Sequence, residues 1–141
     1  MILVSACLLG IHCRYNGKHN LNIKVRNIAN RDGMIPVCPE QLGGLPTPRL
    51  PCEIIVVGGA RRVIQSDGVD VTEAFRKGAE ETMKIASIYH VRQAILKSNS
   101  PSCGSCKIYD GTFSGTLIKG EGLTAEMLKQ NGIQVLNEDD C

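Results

Sequence analysis

Short apolar runs separated by polar loops dominate the first half of the chain. Residues 2–6 and 34–37 form apolar runs of four or five positions, which is typical of strands buried on both faces of a sheet. Residues 53–57 and 62–65 flank a glycine-rich segment, and this arrangement predicts a β-hairpin. The first half is therefore expected to consist mainly of strands, with one helix over residues 22–30.

Helical periodicity is clearest in the second half. Apolar and small residues recur along one stripe between residues 71 and 89, which predicts a long helix, and the apolar run 93–96 predicts a strand after it. A second helix is expected over residues 123–131 and a last strand over 133–136. This alternation of strands and helices predicts an α/β fold: a single Rossmann-like domain over residues 1–141, with a mainly parallel sheet and one β-hairpin insertion.

Composition narrows the classes of function. The chain has 141 residues, with 16 basic and 14 acidic side chains and a net charge of +2, which gives no strong signal for nucleic acid. No apolar run reaches the length of a membrane span. Seven cysteines are many for a chain of this size, and an odd number does not suit a disulfide framework. These features predict a cytoplasmic protein whose cysteines stay reduced.

Three cysteines follow predicted strands. Cys7 comes directly after the first strand, Cys38 directly after the second, and Cys103 lies in the loop that leaves the strand 93–96. If these strands are parallel neighbours, roughly 4.8 Å apart, their carboxyl ends lie at one edge of the sheet and the three thiols could converge on one centre. The alternative is that each cysteine is a small buried hydrophobe.

The loop after residues 93–96 leaves several chemistries open. Cys103 and Cys106 form a C-x-x-C pair, which occurs in zinc sites and in thiol redox enzymes, but the chain has no second such pair. Three thiolates without an obvious fourth suit a [4Fe-4S] cluster with one open iron. Such an iron could act as a Lewis acid toward a soft atom such as substrate sulfur.

Several motifs, in order along almost the whole chain, resemble a known family. They are residues 4–10, 13–17, 38–40 (Cys-Pro-Glu), 43–49, Lys97, 100–104 (Ser-Pro-Ser-Cys-Gly) and 109–111. The family has long been known as domain of unknown function 523, and its characterised members are thiouracil desulfidases. The resemblance implies a [4Fe-4S] cluster on Cys7, Cys38 and Cys103, whose open iron takes the thiocarbonyl sulfur. It also implies assistance from a glutamate and a serine, which match Glu40 and either Ser100 or Ser102, with Ser100 preferred.

Further polar residues flank the expected site. Arg14 and Arg49 could hold a pyrimidine carbonyl or balance the charge of the cluster, and Ser102 could donate a hydrogen bond to the substrate. Each candidate residue has a plainer alternative. Arg14 and Arg49 could be ordinary surface arginines, and Glu40 could be a solvated loop glutamate. Ser100 and Ser102 could only satisfy the backbone of a proline turn.

These residues predict an iron–sulfur enzyme that removes sulfur from a thiolated heterocycle such as thiouracil. Its partner would be a small molecule, a thiolated pyrimidine or a related compound. One alternative is a thiol redox or persulfide-handling enzyme that uses Cys103 and Cys106. The other is a zinc-stabilised interaction domain without enzymatic activity.

Overall fold

A four-stranded parallel sheet lies at the centre of the computed structural model, which describes residues 1–140. In chain order the strands are β1 (Ile2–Ser5), β2 (Met34–Val37), β3 (Cys52–Val57), β4 (Ala60–Gln65), β5 (Gln93–Leu96), β6 (Lys107–Tyr109), β7 (Leu117–Lys119) and β8 (Gln134–Asn137). The helices are α1 (Ile23–Asp32), α2 (Pro39–Leu42), α3 (Thr72–Ile88) and α4 (Leu123–Gln130). The parallel sheet has the order β2–β1–β5–β8, and two separate antiparallel hairpins, β3–β4 and β6–β7, complete the sheet structure of the described residues.

The central sheet is buried between two layers of helix. Successive side chains of a strand point to opposite faces, and in β1 Leu3 packs with α3 and α4, whereas Val4 packs with α1. Ile95 and Leu96 of β5 divide in the same way. This two-sided burial explains why the sequence of these strands is continuously apolar instead of alternating.

The predicted fold class is confirmed: the protein is α/β with a mainly parallel sheet. The predicted hairpin is β3–β4, in which a Gly58-Gly59 turn with positive φ at both residues joins the strands. The number of hairpins was wrong, because β6 and β7 form a second one. Its strands have only three residues each, and β7 is exposed throughout, so neither strand produces an apolar run in the sequence.

Two smaller features also escape the sequence pattern. α2 is a single turn that begins at Pro39, the position where proline is favoured because its missing N–H has no helical partner. A short 3-10 helix, Ala6–Leu9, follows β1 directly. No helix within residues 1–140 combines the length and the apolar character needed to cross a membrane.

Candidate active site

The order of the strands brings the three predicted cysteines to one edge of the sheet. β2, β1 and β5 are direct neighbours and run parallel, so their carboxyl ends lie side by side. Cys7 lies in the 3-10 helix after β1, Cys38 precedes α2 after β2, and Cys103 lies in the loop after β5. All three line one cavity of about 450 Å³. Ligands bind at this edge in α/β proteins in general.

Two further cysteines, Cys13 and Cys52, line the same cavity. The thiol of Cys38 lies 3.7 Å from the carbonyl oxygen of Cys13 and donates to it. Interaction with the Cys13 thiol lowers the pKa of Cys7 and of Cys38, although burial opposes the change, and the pKa of Cys13 itself is raised. Cys7 and Cys38 are thus the members of the group whose thiolate forms are favoured.

Cys103 lies in a different environment. It is only 3% exposed, and burial, together with the charge of Glu40, raises the pKa of its thiol. Two hydroxyls act in the opposite direction, because Ser102 Oγ lies 3.3 Å and Ser5 Oγ 3.6 Å from the sulfur. The backbone N–H of Lys97 donates to Ser5 Oγ at 2.9 Å and fixes that hydroxyl. Hydroxyl donors of this kind stabilise a thiolate once a metal has displaced the proton.

Glu40 lies among the cysteines at the first turn of α2. Its Oε1 accepts a 2.5 Å hydrogen bond from Ser102 Oγ, and its Oε2 accepts one from Cys38 Sγ at 3.5 Å. Arg49 Nη2 lies 4.0 Å from Oε2. The carboxylate is therefore held from three sides, at the cavity that the cysteines line.

The position of α2 depends on two glycines without side chains. A Cβ on Gly43 would lie 2.0 Å from the carbonyl oxygen of Ala74 in α3, and a Cβ on Gly78 would lie 2.0 Å from the carbonyl oxygen of Pro39. Only glycine permits this approach of two backbones. The contact fixes Pro39, and with it the flanking residues Cys38 and Glu40.

The two predicted arginines have different surroundings. The side chain of Arg49 is 7% exposed, and its guanidinium donates to the carbonyl oxygen of Cys13 and the hydroxyl of Thr47, both at 3.0 Å. Arg14 also lines the cavity, and its guanidinium carbon lies 5.7 Å from the centre of the Tyr15 ring. Arg49 is thus fixed by the protein, whereas Arg14 makes few contacts that would restrain it.

The two candidate serines have different surroundings. Ser100 Oγ accepts hydrogen bonds from the backbone N–H groups of Ser102 and Cys103 at 3.1 and 2.9 Å, and Ser100 lines the cavity. Ser102 is fully buried and is absent from the cavity lining, but its hydroxyl joins Glu40 to Cys103. This placement favours a supporting role for Ser102 over the predicted contact with substrate.

The start of α4 anchors the loop that carries these serines. The backbone N–H groups of Thr124 and Ala125 both donate to the carbonyl oxygen of Ser102, at 2.9 and 3.0 Å. A Cβ on Gly122 would lie 2.5 Å from the same oxygen, so the two segments are in direct backbone contact. The carbonyl groups of the loop thereby satisfy N–H groups that have no partner inside the helix.

Several residues of the site were not singled out in the sequence. Ser5 is hidden inside an apolar strand, and Glu138 lies beyond β8, where its carboxylate accepts from the backbone N–H of Ser98 at 2.8 Å and pairs with Lys97 at 3.1 Å. Glu53 and Phe113 meet near the cavity across 60 positions of sequence. Cys13 was signalled by the excess of cysteines and by its place in the motif 13–17.

The donor set fits an iron–sulfur cluster. Three thiols from separate strand ends surround one cavity, and in a cluster each thiolate binds a different iron. No group of three His, Cys, Asp or Glu side chains in residues 1–140 is arranged to hold a single metal ion. All six cysteines of this part of the chain are free thiols and so available as ligands.

Fold and site together define an α/β protein with a cysteine-lined cavity at the carboxyl edge of its parallel sheet. A model of the 2-thiouracil desulfurase family matches residues 2–140, and the chain belongs to this family. This result confirms the resemblance seen in the motifs.

Two relatives extend over nearly the whole chain. The uncharacterized protein YbbK of Bacillus subtilis (strain 168) is 47% identical over 146 aligned positions, which cover 99% of this chain and 97% of that protein. Among solved structures, a [4Fe-4S]-dependent thiouracil desulfidase, TudS, matches with a TM-score of 0.88 and 42% identity, over 98% of this chain and 90% of that chain.

Proposed function

We propose that this protein is a [4Fe-4S]-dependent desulfidase that acts on a thiolated pyrimidine. The reaction is a hydrolysis: the thiocarbonyl compound and water give the carbonyl compound and hydrogen sulfide, without net oxidation or reduction. The observation that carries the proposal is the convergence of Cys7, Cys38 and Cys103 on one cavity together with Glu40. Membership of the 2-thiouracil desulfurase family and similarity to TudS support it.

Cys7, Cys38 and Cys103 would hold the cluster. When bound, a cluster with three protein ligands supplies an iron that can act as a Lewis acid toward the sulfur of the substrate. The remaining chemistry falls to the side chains around it.

Glu40 would act as the general base. A water that attacks the thiocarbonyl carbon must lose a proton, and a fixed carboxylate at the cavity can accept it and return it to the departing sulfur. Ser102 donates to Oε1, so Oε2 is the oxygen that faces the cysteines and is available for this transfer. Ser100 would orient the water, which is supported by its place in the cavity lining and by the 3.2 Å distance from its hydroxyl to Ser102 Oγ.

Two arginines complete the electrostatics of the site. Arg49 balances negative charge from a fixed position beside Glu40. Arg14 lines the cavity without such restraints and is the better candidate to bind the carbonyl oxygen of the pyrimidine. We place the enzyme in the reducing cytoplasm because free thiols in this number persist there.

The surroundings of Cys103 favour a ligand role over a redox pair with Cys106. Cys103 is buried and bound to two serine hydroxyls, whereas Cys106 is exposed, and both are free thiols. A redox pair would require the two sulfurs to approach each other.

The direct test is turnover of 4-thiouracil by protein reconstituted with iron and sulfide without oxygen, in water enriched in ¹⁸O. We expect uracil and sulfide in equal amounts, with the heavy oxygen at the former thiocarbonyl carbon. Glu40→Gln, which keeps the acceptor for Ser102 but removes the base, should lower kcat by about a hundredfold or more. Unchanged thiouracil in the wild-type reaction, or uracil without the label, would contradict the proposal.

A further inference from the structure

The cavity has a second wall that belongs to neither the cysteines nor the parallel sheet. The loop between β6 and β7, residues 110–116, brings Phe113 and Gly115 to the cavity lining. We call it the Phe113 loop. It lies in the hairpin that the sequence pattern does not predict, and no step of the proposed hydrolysis uses it.

The backbone of Phe113 has an unfavourable conformation. Its φ is 55°, and it is one of three non-glycine residues with positive φ among residues 1–140. An aromatic residue rarely adopts this conformation unless the surroundings enforce it, and such residues cluster at functional sites.

A buried carboxylate enforces that conformation. Glu53 of β3 is 9% exposed, and its Oε1 accepts hydrogen bonds from the backbone N–H groups of Gly111 at 3.0 Å and Phe113 at 3.1 Å. A charged acceptor gives stronger hydrogen bonds than a neutral one, but burying the charge costs free energy. The chain thus uses a buried charge to fix two amides of one surface loop.

The rest of the loop is fixed as well. Asp110 Oδ1 accepts from the N–H and the hydroxyl of Thr112 at 2.9 and 2.6 Å, and the N–H of Asp110 donates to Thr116 O at 2.9 Å. A Cβ on Gly111 would lie 2.6 Å from Ile55 Cγ2, so the loop is pressed against β3. Nevertheless the side chain of Phe113 is not part of the core, because the residue is 38% exposed.

We propose that Phe113 is a stacking surface for the planar ring of the pyrimidine, and that Glu53 is the positioning residue that presents it. This inference rests on the proposed function. The polar groups of the cavity can bind only the edges of a pyrimidine, and its faces need an apolar or aromatic partner. Three other aromatic residues line the cavity. Phe75 is buried in a core cluster, Tyr15 contacts Arg14, and Tyr109 is half-buried at the end of β6.

The test is the equilibrium binding of uracil, the expected product, to the cluster-loaded protein, measured by calorimetry beside 4-thiouracil turnover. Stacking of a base on an aromatic residue predicts that Phe113→Ala weakens uracil binding about tenfold or more. Phe113→Tyr should stay within about threefold of wild type, and Phe113→Leu, which keeps the bulk without the ring, should resemble Phe113→Ala. Phe113→Gly serves as the folding control, because glycine accepts the positive φ. This variant should lose affinity for uracil as Phe113→Ala does, but its melting temperature should not be lower than that of Phe113→Ala.

The variants at Glu53 test positioning. Glu53→Gln keeps an acceptor for the two loop amides and should retain most of the affinity, whereas Glu53→Ala should raise KM and leave kcat nearly unchanged. A loss of kcat with KM unchanged would instead overturn the positioning role.

The two proposals fail in distinguishable ways. If wild-type protein binds uracil but Phe113→Ala and Phe113→Gly bind it equally well, the stacking role is overturned and the desulfidase proposal is untouched. If the wild type neither binds uracil nor releases sulfide from 4-thiouracil, both proposals are overturned.

Discussion

The contact between α2 and α3 offers a sharp test of how the site is positioned. In Gly78→Ala the added methyl group would lie 2.0 Å from the carbonyl oxygen of Pro39, whereas ordinary contacts begin at 3.4 Å. α2 must therefore shift by about 1.4 Å along this direction. Because Pro39 lies between Cys38 and Glu40, the proposed cluster ligand and the proposed base shift with it.

The expected magnitudes for stability and activity differ widely. Glycine to alanine inside a helix stabilises it by about 1 kcal/mol, and overpacking costs about 1–3 kcal/mol. The free energy of unfolding should thus fall by only about 1 kcal/mol. Misplacement of reacting groups by about 1 Å can cost about a hundredfold in rate, so desulfuration should fall by roughly that factor.

The assay compares urea unfolding, iron content and thiouracil turnover of Gly78→Ala with those of Lys77→Ala. Lys77 is the exposed neighbour on the same helix, and its replacement by alanine should leave all three unchanged. The reasoning is refuted if Gly78→Ala turns over thiouracil at the wild-type rate.

Three further predictions concern the groups around the cavity. Ser102→Ala removes the hydrogen bond to Glu40 and should lower kcat by about 10–100-fold; an unchanged kcat would contradict the supporting role. Because burial raises the pKa of the Cys103 thiol, cluster binding must release a proton there, so cluster uptake should improve as pH rises from 7 to 9, as followed by visible absorbance. Burial of Glu138 opposes ionisation, but the hydrogen bonds from Ser98 and the charge of Lys97 outweigh it and lower the pKa of its carboxyl below 4.5. The ionised Glu138 carboxylate therefore contributes to stability above pH 4.5, and this contribution is lost as pH falls through the lower pKa of the folded state. The free energy of urea unfolding of Glu138→Gln should depend less on acid pH than that of wild type. An identical pH dependence would contradict the lowered pKa.

The parallel sheet could be predicted because its two central strands, β1 and β5, are buried on both faces. Runs such as residues 2–6 and 93–96 are apolar without alternation, and the long helix between strands has a clear 3.6-residue period. The cysteines after these strands then pointed to one edge. Their convergence depended on the order β2–β1–β5, which no local pattern specifies.

The parts of the site that could not be predicted depend on contacts between distant residues. Glu53 meets the Phe113 loop, and Glu138 meets Ser98 across 40 positions. The roles of Ser100 and Ser102 depend on a turn in which one hydroxyl accepts backbone amides and the other is left to reach Glu40. Sequence spacing describes neither.

The measurement that tests the central claim most directly is the iron and labile sulfide content of protein prepared without oxygen, together with its Mössbauer spectrum. Wild type and Cys106→Ser should both contain a [4Fe-4S] cluster, whereas Cys7→Ser, Cys38→Ser and Cys103→Ser should each lose most of it. Stoichiometric zinc in place of iron, or a cluster that survives all three substitutions, would contradict the assignment of these cysteines.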